Sequence, residues 1–400
     1  MKRIYLDSNA SMPLRPEAKE AMNHYVHYLG NPSSAHHFGV QLNQCLTQAR
    51  EALAELLNVK PSEVVFTSGA TESNFLAIYG MLPRVSALFT GTTEHASLLE
   101  NVKEAITRSH NKDLYLCAVG PSGYVTDKIF DATYRSVQQE ITQNIPGDDH
   151  RYPFLASFMM ANHETGIISD LSPLSKIIKS YGGLFHTDAS QALGKIPVDF
   201  SHVDMATLSS HKLGGPCGVG ALMIKEHVPF SPVLCGGGQE HGLRSGTPSL
   251  PLIWGFVEAV RASLSEAGVR HFHACQTWRD EAEQNIHALA PHARIFGQHT
   301  PRLPQTLCLS MPHISKDIQL AAFDLESVAV SGGSACHSGV SEPSVVLSAM
   351  GVGEEEASTA IRMSMGWHTQ EDDVKHFVWL WKKIYQQLNK RGKTRHVHAA

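Results

Sequence analysis

The sequence predicts an α/β fold in which a mostly parallel sheet is covered by helices on both faces and a second, smaller α+β domain is attached. Three observations point there. Through the first two thirds of the chain, short apolar runs alternate with stretches of helical periodicity, the pattern of a sheet wound by crossover helices. The length, 400 residues, exceeds one ordinary small domain. From about Leu252 the texture changes to long helices around a single apolar run at 306–310.

Taken in order, residues 17–28 read as a helix with Ala18, Ala21, Met22 and Tyr25 on one face. A second helix over 41–57 is ended by the turn at 58–61, which contains Asn58 and Pro61. Residues 64–67 form a buried strand, Ser68-Gly69 a turn, and 71–79 a helix. Strands at 87–90 and 114–119 flank a helix at 97–108. Next come a strand at 154–160, a helix at 171–180 and a strand at 184–187. Short strands at 205–208 and 220–224 enclose a Gly-rich turn, and a second Gly-rich stretch fills 235–248. Helices over 252–266 and on through 290, a strand at 306–310, and helices at 344–350 and 372–388 complete the chain. The domain boundary falls near 263–268, giving a large domain of 16–263 and a small domain of 1–15 with 264–400. The segment 139–152 reads as a polar surface insertion. Residues 382–400, with six Lys or Arg and no acid, read as a solvated end.

Composition narrows the class. Apolar residues make up 42% and charged residues 18%, which excludes disorder as the main state. A formal net charge of −5 makes direct nucleic-acid binding unexpected. The 7 cysteines are widely spaced with no C-x-x-C pair, so neither a disulfide framework nor a zinc finger is expected. No apolar run reaches signal-peptide or membrane-spanning length, and the expectation is a soluble cytoplasmic protein. The 24 histidines show no metal-ligand spacing, and no metal is expected.

Three segments carry chemistry. At Phe66 to Asn74 a strand runs into a small-residue turn and directly into a helix. Free N–H groups at that helix start, with the Thr71 hydroxyl, suit a phosphate; an ordinary Thr cap is the alternative. At Phe185 to Gln191 an apolar strand delivers Asp188 at its carboxyl end, where open α/β sheets place ligands. That acid suits a metal ligand, a general base, the partner of a protonated ring nitrogen, or a helix cap. At Leu208 to Pro216, Lys212 sits between a buried strand and a Gly-Gly-Pro turn. Desolvation there would favour an amine nucleophile, against the commoner reading of a surface lysine. Together the three are the parts of a pyridoxal phosphate site.

Along nearly its whole length the sequence resembles the cysteine desulfurases of the NifS/IscS type, in the class V aminotransferase group of fold-type I pyridoxal-phosphate enzymes. The resemblance is carried by Tyr5-Leu6-Asp7, Gly30 to His36, Phe66 to Glu72, Thr93-Glu94-His95, Glu164-Thr165-Gly166, Asp188 to Lys195, Ser210-His211-Lys212, Gly236 to Pro248, Ser331 to Pro343 and Ile361-Arg362. It implies a seven-stranded sheet in the large domain and a homodimer. It implies that Lys212 attaches the cofactor and removes the Cα proton, that Asp188 pairs with the ring nitrogen, and that Gln191 bonds the phenolic oxygen. His95 would stack on the ring and act as an acid or base. Ala70, Thr71, Ser209 and His211 would hold the phosphate, with Thr247 reaching in from a second subunit. Arg362 and Asn31 would bind the substrate, Arg362 through a bidentate pair with its carboxylate. Cys336, within a run of Gly and Ser that has the composition of an exposed loop, would be the thiolate nucleophile of the small domain. The implied activity removes sulfur from L-cysteine, leaving L-alanine and an enzyme persulfide for a sulfur-acceptor protein or thiol. Selenocysteine lyase and cysteine-sulfinate desulfinase are alternatives on the same scaffold. Iron–sulfur cluster assembly, tRNA thiolation and selenium use are all open as pathways.

The sequence departs from this pattern in several places. His163 stands where a second Asn would contact the phenolic oxygen, and a neutral imidazole can still donate one hydrogen bond there. Cys217 replaces a Lys after the Gly-Pro turn, and His241 replaces an Arg. The tail after Trp367 differs in length and character, so docking of a scaffold protein at that end does not carry over.

Overall fold

A computed structural model describes residues 3–109, 112–143, 152–333 and 343–397. Cys336 lies outside the described residues, with most of Ser331 to Pro343, and so do 144–151 of the polar segment.

In chain order the elements begin with β1 (Ile4–Tyr5), α1 (Pro16–Tyr25) and α2 (His37–Leu57), then β2 (Val64–Thr67) and α3 (Ala70–Met81). They continue with β3 (Val85–Gly91), α4 (Ala96–Ser109), β4 (Asp113–Cys117), α5 (Asp127–Gln143) and β5 (Tyr152–Ser157). Next come α6 (Leu171–Ser180), β6 (Leu184–Asp188), β7 (Met205–Ser209), β8 (Gly220–Ile224), α7 (Leu250–Leu264) and α8 (Glu266–Leu289). The last are β9 (Thr306–Ser310), α9 (Lys316–Leu325), β10 (Val328–Ala329), α10 (Val345–Ala349), α11 (Glu354–Ala357), β11 (Ala360–Ser364) and α12 (Glu371–Val397).

Seven strands form one sheet in the order β2-β8-β7-β6-β5-β3-β4. The pairs β3·β4, β3·β5, β5·β6 and β6·β7 are parallel, while β8 runs antiparallel to both β7 and β2. The sheet is thus α/β and mostly parallel, as expected. All but the edge strand β4 are mostly buried on both faces, successive side chains alternating sides. Phe66 and Phe89 enter one core, while their neighbours Val65 and Leu88 enter another on the opposite face. A third core joins Leu6 and Met12 to Phe272, Leu309, Phe323 and Trp381, so the first residues pack with the last third of the chain.

Several boundaries need correction. Helix α5 has no counterpart among the expected elements, although Phe130, Tyr134 and Ile141 recur at helical spacing and are buried at 3% exposure or less. The polar segment beginning at 139 therefore starts as the last turn of a helix. Helix α9 escapes a periodicity reading because its polarity is reversed. Gln319 is fully buried, its Nε2 donating to the carbonyls of Ile314 and Thr359, while Ile318 and Leu325 face solvent. Strand β11 carries the polar Arg362 and Ser364, both buried, which hides an apolar run. β1 and β10 are two residues each, too short to leave a pattern. Helix α12 continues past Leu388 to Val397.

Candidate active site

The carboxyl ends of the parallel strands converge on one cavity of about 410 Å³, within the ordinary range of about 300–1,000 Å³ for small-molecule sites. β2 leads into Ser68-Gly69 and the start of α3, β3 toward His95, β5 toward His163, β6 ends at Asp188, and β7 leads to Lys212. Open α/β sheets place ligands at this edge because the chain leaves each strand there in a loop free to present side chains.

The start of α3 is unobstructed and has the geometry that suits an anion. Its cap is Gly69, at φ 151°, and nothing lies within 4 Å of the position a Cβ would take there. A Cβ on Gly220 of β8, by contrast, would stand 2.8 Å from the Gly69 Cα, so that glycine lets the turn pack onto the sheet. Thr71 is the second helical residue rather than the cap. The first-turn N–H groups and the positive end of the helix face a cavity also lined by Ala70, Thr71, Ser209 and His211. The Ser209 hydroxyl lies 3.2 Å from His211 Nδ1. Burial, with Lys212 and Lys195 nearby, pushes the His211 imidazole down to about 4.

Asp188 is held rather than merely exposed at its strand end. Its Oδ1 accepts from the Ser190 N–H and its Oδ2 from Asn74 Nδ2, each at 2.9 Å. Asn74 Nδ2 also donates to Ser97 Oγ at 3.0 Å, and Ser97 Oγ lies 2.8 Å from His95 Nδ1. The Ser97 N–H donates to the same Nδ1 at 3.1 Å, so a neutral His95 carries its proton on Nε2. Burial lowers the His95 imidazole, with Asp188 opposing and Lys212 adding to the shift. One network thus joins the acid and the histidine that the motifs suggested separately.

Lys212 is half-buried on the cavity wall. Its Nζ donates to the carbonyls of Asn9 at 2.7 Å and Ala10 at 2.9 Å. The N-terminal segment runs beside this loop, Met12 N donating to His211 O and Arg15 N to Gly214 O. Gln191 lines the cavity too, its Nε2 donating to the Asn9 carbonyl at 2.9 Å. His163 stands edge-on to His95, with ring centroids 5.1 Å apart. Its Nδ1 is buried without a partner among the described residues, and burial, reinforced by His95, Arg362 and Lys212, drives its imidazole well below the ordinary histidine range.

Among the described residues, three expected site residues are not brought to the cavity wall. Arg362 is buried beneath it, Nη2 donating to Asp7 Oδ1 at 2.6 Å and Nη1 to the His163 carbonyl at 2.8 Å. Asn31 is exposed, and its Oδ1 accepts from the Ser33 N–H. Thr247 is exposed at the end of the Gly-rich stretch and lies outside its own chain's cavity.

Sequence reasoning missed Asn9, Asn74, Ser97 and Lys195 as parts of the site. It noticed Cys217 only as a departure, yet that exposed thiol lines the cavity. The signal for Asn74 was present, since it sits one helical turn after Ala70 in the motif already singled out. Nothing local pointed to Asn9, which arrives from 203 residues away.

The aminotransferase class-V family model matches residues 4–377. "Cysteine desulfurase IscS" of Dictyoglomus turgidum is 35% identical over 401 residues, covering 97% of this chain and 96% of its own. A "Cysteine desulfurase" of Cereibacter sphaeroides is 35% identical over 395 residues, covering 97% of each chain. Among solved structures, a NifS-like protein from Rickettsia africae superposes with a TM-score of 0.83 at 29% identity, over 96% of this chain and all of that one. A structure described as "SspA in complex with cysteine" gives a TM-score of 0.74 at 29% identity, over 92% of this chain and all of that one. With the family model spanning 4–377 and these full-length relatives, the chain belongs to the class V aminotransferase family, among its cysteine desulfurases.

Proposed function

We propose that this protein takes the sulfur atom of L-cysteine, releases L-alanine, and carries the sulfur as a persulfide on Cys336 before an acceptor protein or thiol removes it. The observation that carries this reading is the convergence of Lys212, Asp188 and His95 on one cavity that also opens on the start of α3. That the solved SspA structure is described as a complex with cysteine supports the substrate class.

The residues of the cavity fit pyridoxal phosphate. The open cradle at Gly69, the Thr71 and Ser209 hydroxyls and His211 suit its phosphate. The Asp188 carboxylate suits a protonated ring nitrogen, and Gln191 and His163 suit the phenolic oxygen. Lys212 suits covalent attachment. When bound, the cofactor supplies an electron sink for charge developing at Cα.

The chain's own groups then have defined tasks. The Lys212 Nζ takes the Cα proton, from a position set by the Asn9 and Ala10 carbonyls. Asp188, fixed by Asn74 and Ser190, holds a proton at the ring nitrogen. His95 presents Nε2–H over the site. Arg362 binds the substrate carboxylate by loosening its pair with Asp7. The Cys336 thiolate attacks the substrate sulfur; the S–S bond forms as the sulfur–Cβ bond breaks, the electron pair left at Cβ takes a proton, and Lys212 Nζ returns a proton to Cα, giving alanine. Thr247, exposed on its own chain, completes the phosphate site of a second copy in a homodimer. The chain divides into a large domain, 16–263, and a small one, 1–15 with 264–400, as the shared packing of Leu6 and Met12 with the last third supports.

The test is the visible spectrum of the purified protein before and after L-cysteine, with alanine and persulfide measured together. Wild type should show a cofactor band that L-cysteine perturbs. Cys336→Ala should keep that band and lose persulfide. A Cys336→Ala protein that releases alanine at the wild-type rate would refute the role of the thiol. Turnover on cysteine, selenocysteine and cysteine sulfinate separates the desulfurase from the two alternative lyase activities.

A further inference from the structure

Lys195 is buried, at 5% exposure, and the charges that act on it are the cations Lys212 and Arg362. Its hydrogen bond among the described residues goes to a neutral group, Gln191 Oε1, at 2.8 Å. A lysine so placed is costly unless it does something for its partner. The turn after β6 brings the two together, with Leu193 N bonded to Ala189 O and Ile196 N to Ala192 O, so that residues 191 and 195 lie on one side.

We propose that Lys195 is a positioning residue for the cofactor site, fixing the Gln191 amide so that its N–H edge faces Asn9 and the cavity. This rests on the reading of the cavity as a pyridoxal phosphate site. An amide can present either edge, and its neighbours decide which. With Oε1 held by Lys195, Nε2 is left to donate to the Asn9 carbonyl, the same oxygen that accepts from Lys212 Nζ. Gln191 and Lys212 are thereby referenced to one acceptor. That acceptor is itself fixed, since Asn9 Nδ2 donates to Thr306 Oγ1 at 2.9 Å and to the His163 carbonyl at 3.2 Å. Removing Lys195 leaves Oε1 a buried acceptor without a donor and releases the amide to turn. Burial and the neighbouring cations also hold Lys195 well below the ordinary lysine range.

The experiment is a double-mutant cycle on the full-length protein, stripped of cofactor and titrated with pyridoxal phosphate. Dissociation constant, visible band and thermal midpoint are read together. Lys195→Met should weaken cofactor affinity about tenfold and shift the band, the worth of one buried hydrogen bond. Lys195→Gln, whose amide can still donate, should stay within about threefold of wild type. In a Gln191→Ala background, Lys195→Met should add less than about threefold. Lys195→Met that lowers only the thermal midpoint, or adds the same tenfold loss without Gln191, overturns the inference. Gln191→Glu covers the case in which Lys195→Met does not fold, because it keeps a partner for Lys195 but replaces the N–H edge by oxygen. It should weaken affinity at least as much, and wild-type affinity overturns the inference. Wild-type protein that takes up no cofactor overturns the site reading and this inference with it, whereas uptake with an additive cycle overturns the inference alone.

Discussion

Arg362 Nη2 meets Asp7 Oδ1 at 2.6 Å, although 355 residues separate them in the chain. The pair closes the N-terminal segment onto β11, and Arg362 also exchanges backbone hydrogen bonds with Ser331, where the run toward Cys336 begins. The Arg362 side chain is 3% exposed, with Asp7 as its ion-pair partner, the His163 carbonyl as a second acceptor and the Glu164 carboxylate close enough to interact with it.

Replacing Asp7 with Ala should therefore destabilise the fold by about 2–4 kcal/mol, because it leaves a buried cation without its counter-charge. Urea unfolding at neutral pH measures this. An effect below about 0.5 kcal/mol, the size of an exposed pair, would show that Arg362 finds other compensation.

Acid should weaken the protein through its buried histidines. His186 is fully buried between Ser157 Oγ and Thr207 Oγ1, and burial pushes its imidazole down to about 4. The unfolded chain, with an ordinary histidine near 6.5, binds the proton first. Stability is thus complete above about pH 6.5 and is lost as pH falls toward 4, by about 2 kcal/mol at pH 5 from this residue. His95, His163 and His211 shift in the same direction and steepen the fall. Unfolding curves at pH 7 and pH 5 should converge for His186→Gln relative to wild type; an unchanged gap would remove His186 as a cause.

The cysteines should separate by reactivity. Burial pushes the thiols of Cys117, Cys275 and Cys308 up to about 12, whereas Cys217 and Cys235 are exposed. At pH 8, iodoacetamide should modify Cys217 and Cys235 at least about tenfold faster than the three buried thiols. Mass spectrometry of timed digests reads the order. Bound pyridoxal phosphate should slow Cys217 and leave Cys235 unchanged, because of these two thiols Cys217 lines the cavity and Cys235 does not.

Asn74 should matter although it lies behind the cavity wall. Asn74→Ala removes the donor that Asp188 Oδ2 and Ser97 Oγ share. Turnover should fall about tenfold, with a smaller change in KM for cysteine, as loss of one hydrogen bond to a charged group implies. A rise in KM at constant kcat would place Asn74 in substrate binding instead.

Much of this protein is legible in the order of its amino acids. The alternation of short apolar runs with helical periodicity specifies the layered sheet, because strands buried on both faces are mostly apolar along their length. Asp188 and Lys212 can be placed at strand ends because each follows a short, largely apolar run, at 184–187 and at 205–208. Helix α9 cannot be read in this way, since Gln319 satisfies its buried amide with backbone oxygens that only folding brings near. What the tertiary structure alone decided is the company each site residue keeps. Asn9 joins Lys212 and Gln191, and Asp7 holds Arg362. Local patterning records which face of an element is buried, but a hydrogen bond between segments hundreds of residues apart leaves no periodic trace in either one.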